Sequence, residues 1–226
     1  MIRKSSDLVL NNLLDLIMSG AVQPGAKLLP AETLAKSLKV SVTSAREAVQ
    51  NLATIGLVQI IHGRGIFVTE GRPIIEELLE ARRAVEPFGA AMAAERIDNE
   101  TLSEMRYLVD EMDKSIEKGN TDLFNEYDYQ FHILMGKAAG NRFIFKTLLN
   151  IRDLLKYQVS AVNAIPSLLK ASVVRHRQIF EAISGRKPEL ARQLMEQHIT
   201  EAVEFWKKNQ PVTEHQPVPI IQEVAE

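Results

Sequence analysis

Apolar residues recur every third or fourth position along almost the whole chain, and strand-like order is confined to one stretch, Val58 to Thr69. Few folds are open to such a pattern. Helices must pack on helices, with one hairpin attached. The expected fold class is therefore mostly α.

The first third is the more varied part. Leu8, Leu10, Leu13, Leu14, Ile17 and Met18 predict an amphipathic helix over Asp7–Ser19, ended by Gly20. Gln23-Pro24-Gly25 is a turn. Ala31–Leu38 predicts a second helix, and Lys39-Val40-Ser41 a tight break before a third. Ser41 suits an N-cap, and Gly56 stands where a left-handed residue closes the helix. Ala45, Ala48, Val49, Leu52 and Ile55 should face inward. Val58–Ile61 and Ile66–Thr69 then read as strands around His62-Gly63-Arg64-Gly65. Three helices and a glycine-tipped hairpin make a winged helix-turn-helix, expected over residues 1–71.

Beyond the short linker Gly71-Arg72-Pro73, six helices are expected in an all-α antiparallel bundle over residues 72–208. They run Ile74–Glu95, Thr101–Lys118, Thr121–Ala139, from about Arg142 to Val162, from just after Pro166 to Gly185, and from Pro188 to near Lys208. Each of the second and third is followed by glycine, and Pro188 suits a first turn. Residues 209–226, with Pro211, Pro217 and Pro219 among polar residues, are expected to be a flexible tail.

Charge is weakly divided. Residues 1–70 hold seven Lys/Arg against five Asp/Glu, net +2; the rest holds 20 against 24, net −4. A mildly basic head permits nucleic-acid binding without demanding it. The absence of cysteine removes disulfides and thiolate metal sites. No apolar run is long enough to span a bilayer, and Met1–Ser6 leads into no signal-peptide core, so a cytoplasmic location is expected.

The chemistry concentrates in the bundle. Asp128 and His132 are four residues apart, hence on one helix face, one turn apart. His176 and His198 fall on the apolar faces of two later helices. Should the three helices converge, one carboxylate and three imidazoles would meet in the core, as metal sites in bundles are built. Such an N₃O set suits Zn²⁺ best and also takes Ni²⁺, Co²⁺ or Mn²⁺. The spacing alone leaves other readings open. A buried histidine is often only a hydrogen-bonded core residue, and an Asp–His pair at this spacing is often a helix-surface pair.

The stretches SGAVQPGAKL, LAKSLKVSVTSAREAVQNLATIGLV and HGRGIFV resemble, in this order and spacing, the head of the GntR superfamily of bacterial transcription regulators. The resemblance implies that Thr43, Ser44 and Arg46 open the recognition helix and meet operator double-stranded DNA. It implies that His62, Gly63 and Arg64 form a wing tip at the minor groove. A helix N-terminus attracts phosphate, and arginine reads guanine or a narrow minor groove, which agrees. Two cationic contacts usual in such heads are missing: Val42 follows Ser41, and Glu32 is followed by Thr33.

The stretches EARRAVEPFGAAMAAERI, DYQFHILMGKAAGN, VVRHRQIFEAISG and ARQLMEQHI resemble the all-helical FCD effector domain of the FadR-like branch. Its metal-dependent members use one Asp and three His, which match Asp128, His132, His176 and His198. The resemblance implies a homodimeric regulator, more often a repressor, that binds a small carboxylate effector at the metal and is not an enzyme. Arg82 is the first candidate to clamp the effector carboxylate, with a salt bridge to Glu86 as its rival role; Asn141 and Arg175 follow. Phe88, Met92, Phe131, Met135 and Phe180 are expected in plain core. A metal-independent, acyl-CoA-sensing regulator and a metalloenzyme are the competing readings.

Overall fold

The computed structural model describes residues 5–18, 20–69, 72–151, 154–156, 159 and 166–208. The chain divides into two compact units, the first ending at Ile75 and the second beginning at Glu76.

In the first unit α1 spans Ser5–Met18, β1 Lys27–Leu28, α2 Ala31–Ser37, α3 Val42–Thr54, β2 Val58–Ile61 and β3 Gly65–Val68. The helices gather around Leu13, Leu14, Leu34, Ala45, Ala48 and Leu52, all fully buried. Leu8, expected on the inner face of α1, is exposed, and Val9 takes the inward place. Lys39 adopts φ 55° between α2 and α3, which reverses the chain in two residues. Ser41 caps α3: its Oγ accepts from the Ser44 amide at 3.0 Å. The expected left-handed residue after α3 is Gly56, with φ 78°. The sheet has order β1-β3-β2, all antiparallel, with Val58 opposite Val68 and Ile61 opposite Gly65. The hairpin appears where the sequence placed it. β1 did not show in the sequence, since two residues carry no period.

In the second unit, taken from its first helix, α4 spans Arg72–Arg96, α5 Asn99–Glu117, α6 Thr121–Ala138, α7 Arg142–Asn150, α8 Pro166–Ser184 and α9 Pro188–Lys208. The expected linker residues Arg72 and Pro73 instead begin α4, because a first turn has no intrahelical use for the N–H that proline lacks. α5 starts two residues early: Asp98 is its cap, accepting from the Thr101 amide at 2.7 Å. α7 ends at Asn150, with Ile151 as its C-cap. Most of the stretch expected to carry it on to Val162, and the expected tail, lie outside the described residues.

Close approaches set the packing around the site. A Cβ on Gly136 of α6 would stand 2.4 Å from Leu148 Cδ1 of α7. A Cβ on Gly89 of α4 would stand 3.1 Å from Met135 Sδ of α6. Glycine at these places leaves room for the facing side chains of Leu148 and Met135. Phe131, Met135 and Phe180 are core, as expected, and Met92 is half-buried. Phe88 is not core: it is 62% exposed. Two residues past the buried Glu86, it turns to the opposite side of α4.

Candidate metal centre and nucleic-acid surface

α6, α8 and α9 bring three imidazoles together. One ligand nitrogen from each of His132, His176 and His198 lies within 4.8 Å of the other two. His132 and His176 are fully buried and His198 is half-buried. The rings meet edge to face or stacked, with centroids 5.2 Å apart for His132–His176, 5.3 Å for His132–His198 and 4.6 Å for His176–His198. Phe131 closes one side, 5.0 Å from the His176 ring.

The nitrogens are turned for coordination. His132 Nδ1 is 2.6 Å from Glu86 Oε2, and His176 Nδ1 is 2.8 Å from the Ser172 carbonyl oxygen. As N–H donors to these oxygens, both rings present an Nε2 lone pair inward, the usual arrangement of metal-ligating histidine. The two Nε2 atoms are 3.3 Å apart. Asp128 Oδ1 lies 3.4 Å from one and 3.5 Å from the other. A tetrahedral ion with bonds of about 2.0–2.1 Å separates its ligand atoms by roughly 3.3–3.4 Å. Three of the four donors thus have the spacing of a tetrahedral edge, and the donor chemistry fits a divalent transition metal.

Burial opposes charge on Asp128, Glu86, His132 and His198, and the neighbours decide the outcome. Burial would raise the Asp128 carboxyl, but His176 and then His132 hold it well below its usual range. Burial would likewise raise Glu86; the Arg82 guanidinium and His132 keep it strongly acidic. His198 is pushed well below the ordinary imidazole value by burial, then by His176 and His132. Burial pulls His132 down, yet Glu86 beside it prevails and raises it. A neutral His198 and an ionised Asp128 are the forms that bind metal.

The second layer was only half legible. Arg82 is buried, donates from Nε to Glu86 Oε1 at 2.6 Å, and sets Nη2 3.2 Å from His132 Nε2. The carboxylate clamp and the salt bridge proposed as rivals for Arg82 therefore share one location, and the salt bridge is formed. Glu86 itself was missed as a partner of His132. The signal was present: Arg82 and Glu86 continue the apolar stripe of Leu78, Leu79, Ala90 and Ala93 on α4, where charges need a reason. Asn141 caps α7, its Oδ1 accepting from the Phe143 and Ile144 amides at 2.9 and 3.3 Å. Arg175 bridges to Gln178 and to Glu201 of α9, at 2.9 and 2.7 Å.

In the first unit Thr43 is exposed and Ser44 half-buried at the start of α3. Ser44 Oγ lies 2.8 Å from Ser41 Oγ. Arg46 is solvent-facing and holds Glu32 of α2 at 2.5 Å. His62, Gly63 and Arg64 are all exposed at the hairpin tip, where Gly63 has φ 71°. The Arg64 guanidinium stands 5.9 Å from the Phe67 ring centre. No described helix is long and apolar enough to cross a membrane.

Known proteins agree with this architecture. Residues 6–68 match the bacterial regulatory proteins of the gntR family, and residues 77–201 match the FCD domain. The chain is 27% identical over 206 residues to the HTH-type transcriptional regulator LutR of Bacillus subtilis (strain 168), across 82% of this chain and 93% of that protein. It is 27% identical over 187 residues to the HTH-type transcriptional repressor RspR of Escherichia coli (strain K12), across 81% and 80%. Among solved structures, E. coli McbR/YncC shares the fold with a TM-score of 0.68 at 18% identity, over 92% of this chain and 99% of that one. A winged head of one family, followed by a helical domain that accounts for more than half the chain, makes this protein a DNA-binding transcription regulator of the GntR family with an FCD domain, not an enzyme.

Proposed function

We propose that the protein is a homodimeric repressor whose hold on its operator is governed by a small carboxylate effector bound at a divalent metal. Asp128, His132, His176 and His198 are the ligands, and Zn²⁺ is the first candidate. One observation carries the reading: Asp128 Oδ1 and two inward Nε2 atoms lie 3.3–3.5 Å from one another, with both Nδ1 atoms already spoken for. Imidazole nitrogens and a carboxylate oxygen gathered at one point are the donor set that a divalent transition metal takes. The metal would supply positive charge in the core, where an anion can be held without water. Arg82 is the proposed second contact for the effector carboxylate. Asn141 and Arg175 contribute less, since capping and the Glu201 pair occupy their polar atoms.

At the other end, Thr43, Ser44 and Arg46 are proposed to meet the major groove or its phosphates, and His62, Gly63 and Arg64 the minor groove. Two copies would place two heads on two half-sites of a near-palindromic operator. The name of RspR as a repressor supports repression here.

Elemental analysis of the purified chain, followed by zinc titration with a competing chromophoric chelator, tests the centre. One ion per chain is expected, and His132→Ala should lose it. A chain that takes up no zinc, nickel, cobalt or manganese would remove the metal reading and leave the regulator without it.

A further inference from the structure

We infer that Glu86 is the positioning residue of the metal centre, fixing His132 through Nδ1 and itself held in register by Arg82. The inference rests on the metal reading above and extends it to a residue outside the ligand set. Glu86 is fully buried on α4, a helix that supplies none of the four ligands. Its two oxygens are divided between two partners. Oε1 accepts from Arg82 Nε at 2.6 Å, and Oε2 lies 2.6 Å from His132 Nδ1.

This division has a chemical use. An imidazole has two tautomers, and only the one protonated at Nδ1 offers Nε2 to the inward cluster. A carboxylate accepts and does not donate, so Glu86 excludes the wrong tautomer. It also makes the imidazole a better donor to a cation, because the proton on Nδ1 is partly drawn away. His176 reaches the same orientation differently, by donating to the Ser172 carbonyl within its own helix. His132 instead takes its acceptor from α4.

Burying a carboxylate this deeply needs compensation, and Arg82 supplies it from one turn away on the same helix. On the same helix, Gly89 leaves room for the Met135 side chain of α6, since a Cβ there would stand 3.1 Å from its Sδ. The centre is thus assembled from four helices, of which three coordinate and one orients.

The test uses Glu86→Gln and Glu86→Asp in the full chain, with zinc affinity measured by chelator competition. Glu86→Gln keeps the shape but gives up the charge and the acceptor-only character. It should bind zinc about 10–100-fold more weakly than the parent chain. Glu86→Asp keeps the carboxylate and should recover part of that loss. On the zinc-loaded parent, proton–nitrogen correlation spectra should show a slowly exchanging, downfield Nδ1 proton on His132, moved upfield in Glu86→Gln. Circular dichroism and melting of the metal-free variants identify folded samples. Equal zinc affinity in folded Glu86→Gln and parent, or an unchanged His132 Nδ1 proton, overturns the inference while leaving the four-ligand reading intact. A parent chain that binds no metal overturns both, and does so before any variant is made.

Discussion

Arg46 shows how one side chain can serve two partners in turn. In the free head its guanidinium lies 2.5 Å from Glu32 Oε1, yet both side chains face solvent. An exposed pair of this kind is worth little to stability and exchanges readily. Arg46 is therefore available to a phosphate or a base edge at small cost, and Glu32 holds it near the right place beforehand. Arg46→Ala should weaken operator binding by roughly 1–3 kcal/mol if the residue reads a base, and should lower the salt slope by about one if it meets phosphate. Fluorescence anisotropy against operator DNA at several salt concentrations separates these outcomes; unchanged binding would place the DNA surface elsewhere. At this scale the convergence of Asp128, His132, His176 and His198 was legible, because Asp128 and His132 share a helix face and His176 and His198 sit on apolar ones. The partners of those side chains were not. Nothing in sequence spacing joins Glu86 to His132, 46 positions away, or says that a Ser172 carbonyl rather than a side chain will receive the His176 proton.

Elements were legible where their ends carry chemistry. Ser41, Gly56 and Pro188 marked their helices because a cap, a positive φ and a missing N–H are local properties. Asp98 was passed over in favour of Thr101, although an aspartate can accept from the amide three residues on. β1 is too short to leave a period, and the inward turn of Leu8 was misjudged by one place along α1. How elements lie against each other is beyond periodicity. The contact of α6 with α7 depends on Gly136, where an added Cβ would stand 2.4 Å from Leu148 Cδ1. Gly136→Ala should destabilise the second unit by about 1–3 kcal/mol, since the added methyl must displace Leu148, which is fully buried. Urea unfolding followed by circular dichroism measures this. Combining the change with Leu148→Ala should cost less than the two single changes added together, because the methyl then enters space that the leucine has left. Strict additivity would show that the two helices do not meet at this point.

Over the whole molecule, two units with separate cores imply that whatever binds the second stabilises the second first. Metal bound only by the folded state adds about 4 kcal/mol at a free concentration 1,000 times its Kd. For a domain of this size that raises the melting temperature by on the order of 10 °C. The size of the effect must depend on pH, and the signs can be followed group by group. Asp128 and Glu86 are held below their usual range, so their stabilisation is present above the unfolded carboxylate values and lost only as pH falls through the folded ones. His198 is depressed, so the metal-free fold loses stability as pH falls below the ordinary imidazole value. His132 is raised, so its contribution is present below that value and lost as pH rises through the folded one. These two imidazoles act on opposite sides of the ordinary imidazole value, so metal-free stability should peak near it and fall away on either side. Metal adds a further pH dependence, because a proton and a metal compete for the same His132 nitrogen, and the raised affinity for the proton makes that competition strongest on the acid side. Differential scanning calorimetry of the full chain, with zinc and with excess chelator, should therefore show a chelator-induced drop in the second unit's transition that is larger at pH 8 than at pH 6, while the first unit's transition stays in place. A drop of equal size at both pH values would mean that protons and metal do not share a site, and that the histidines converge for packing alone.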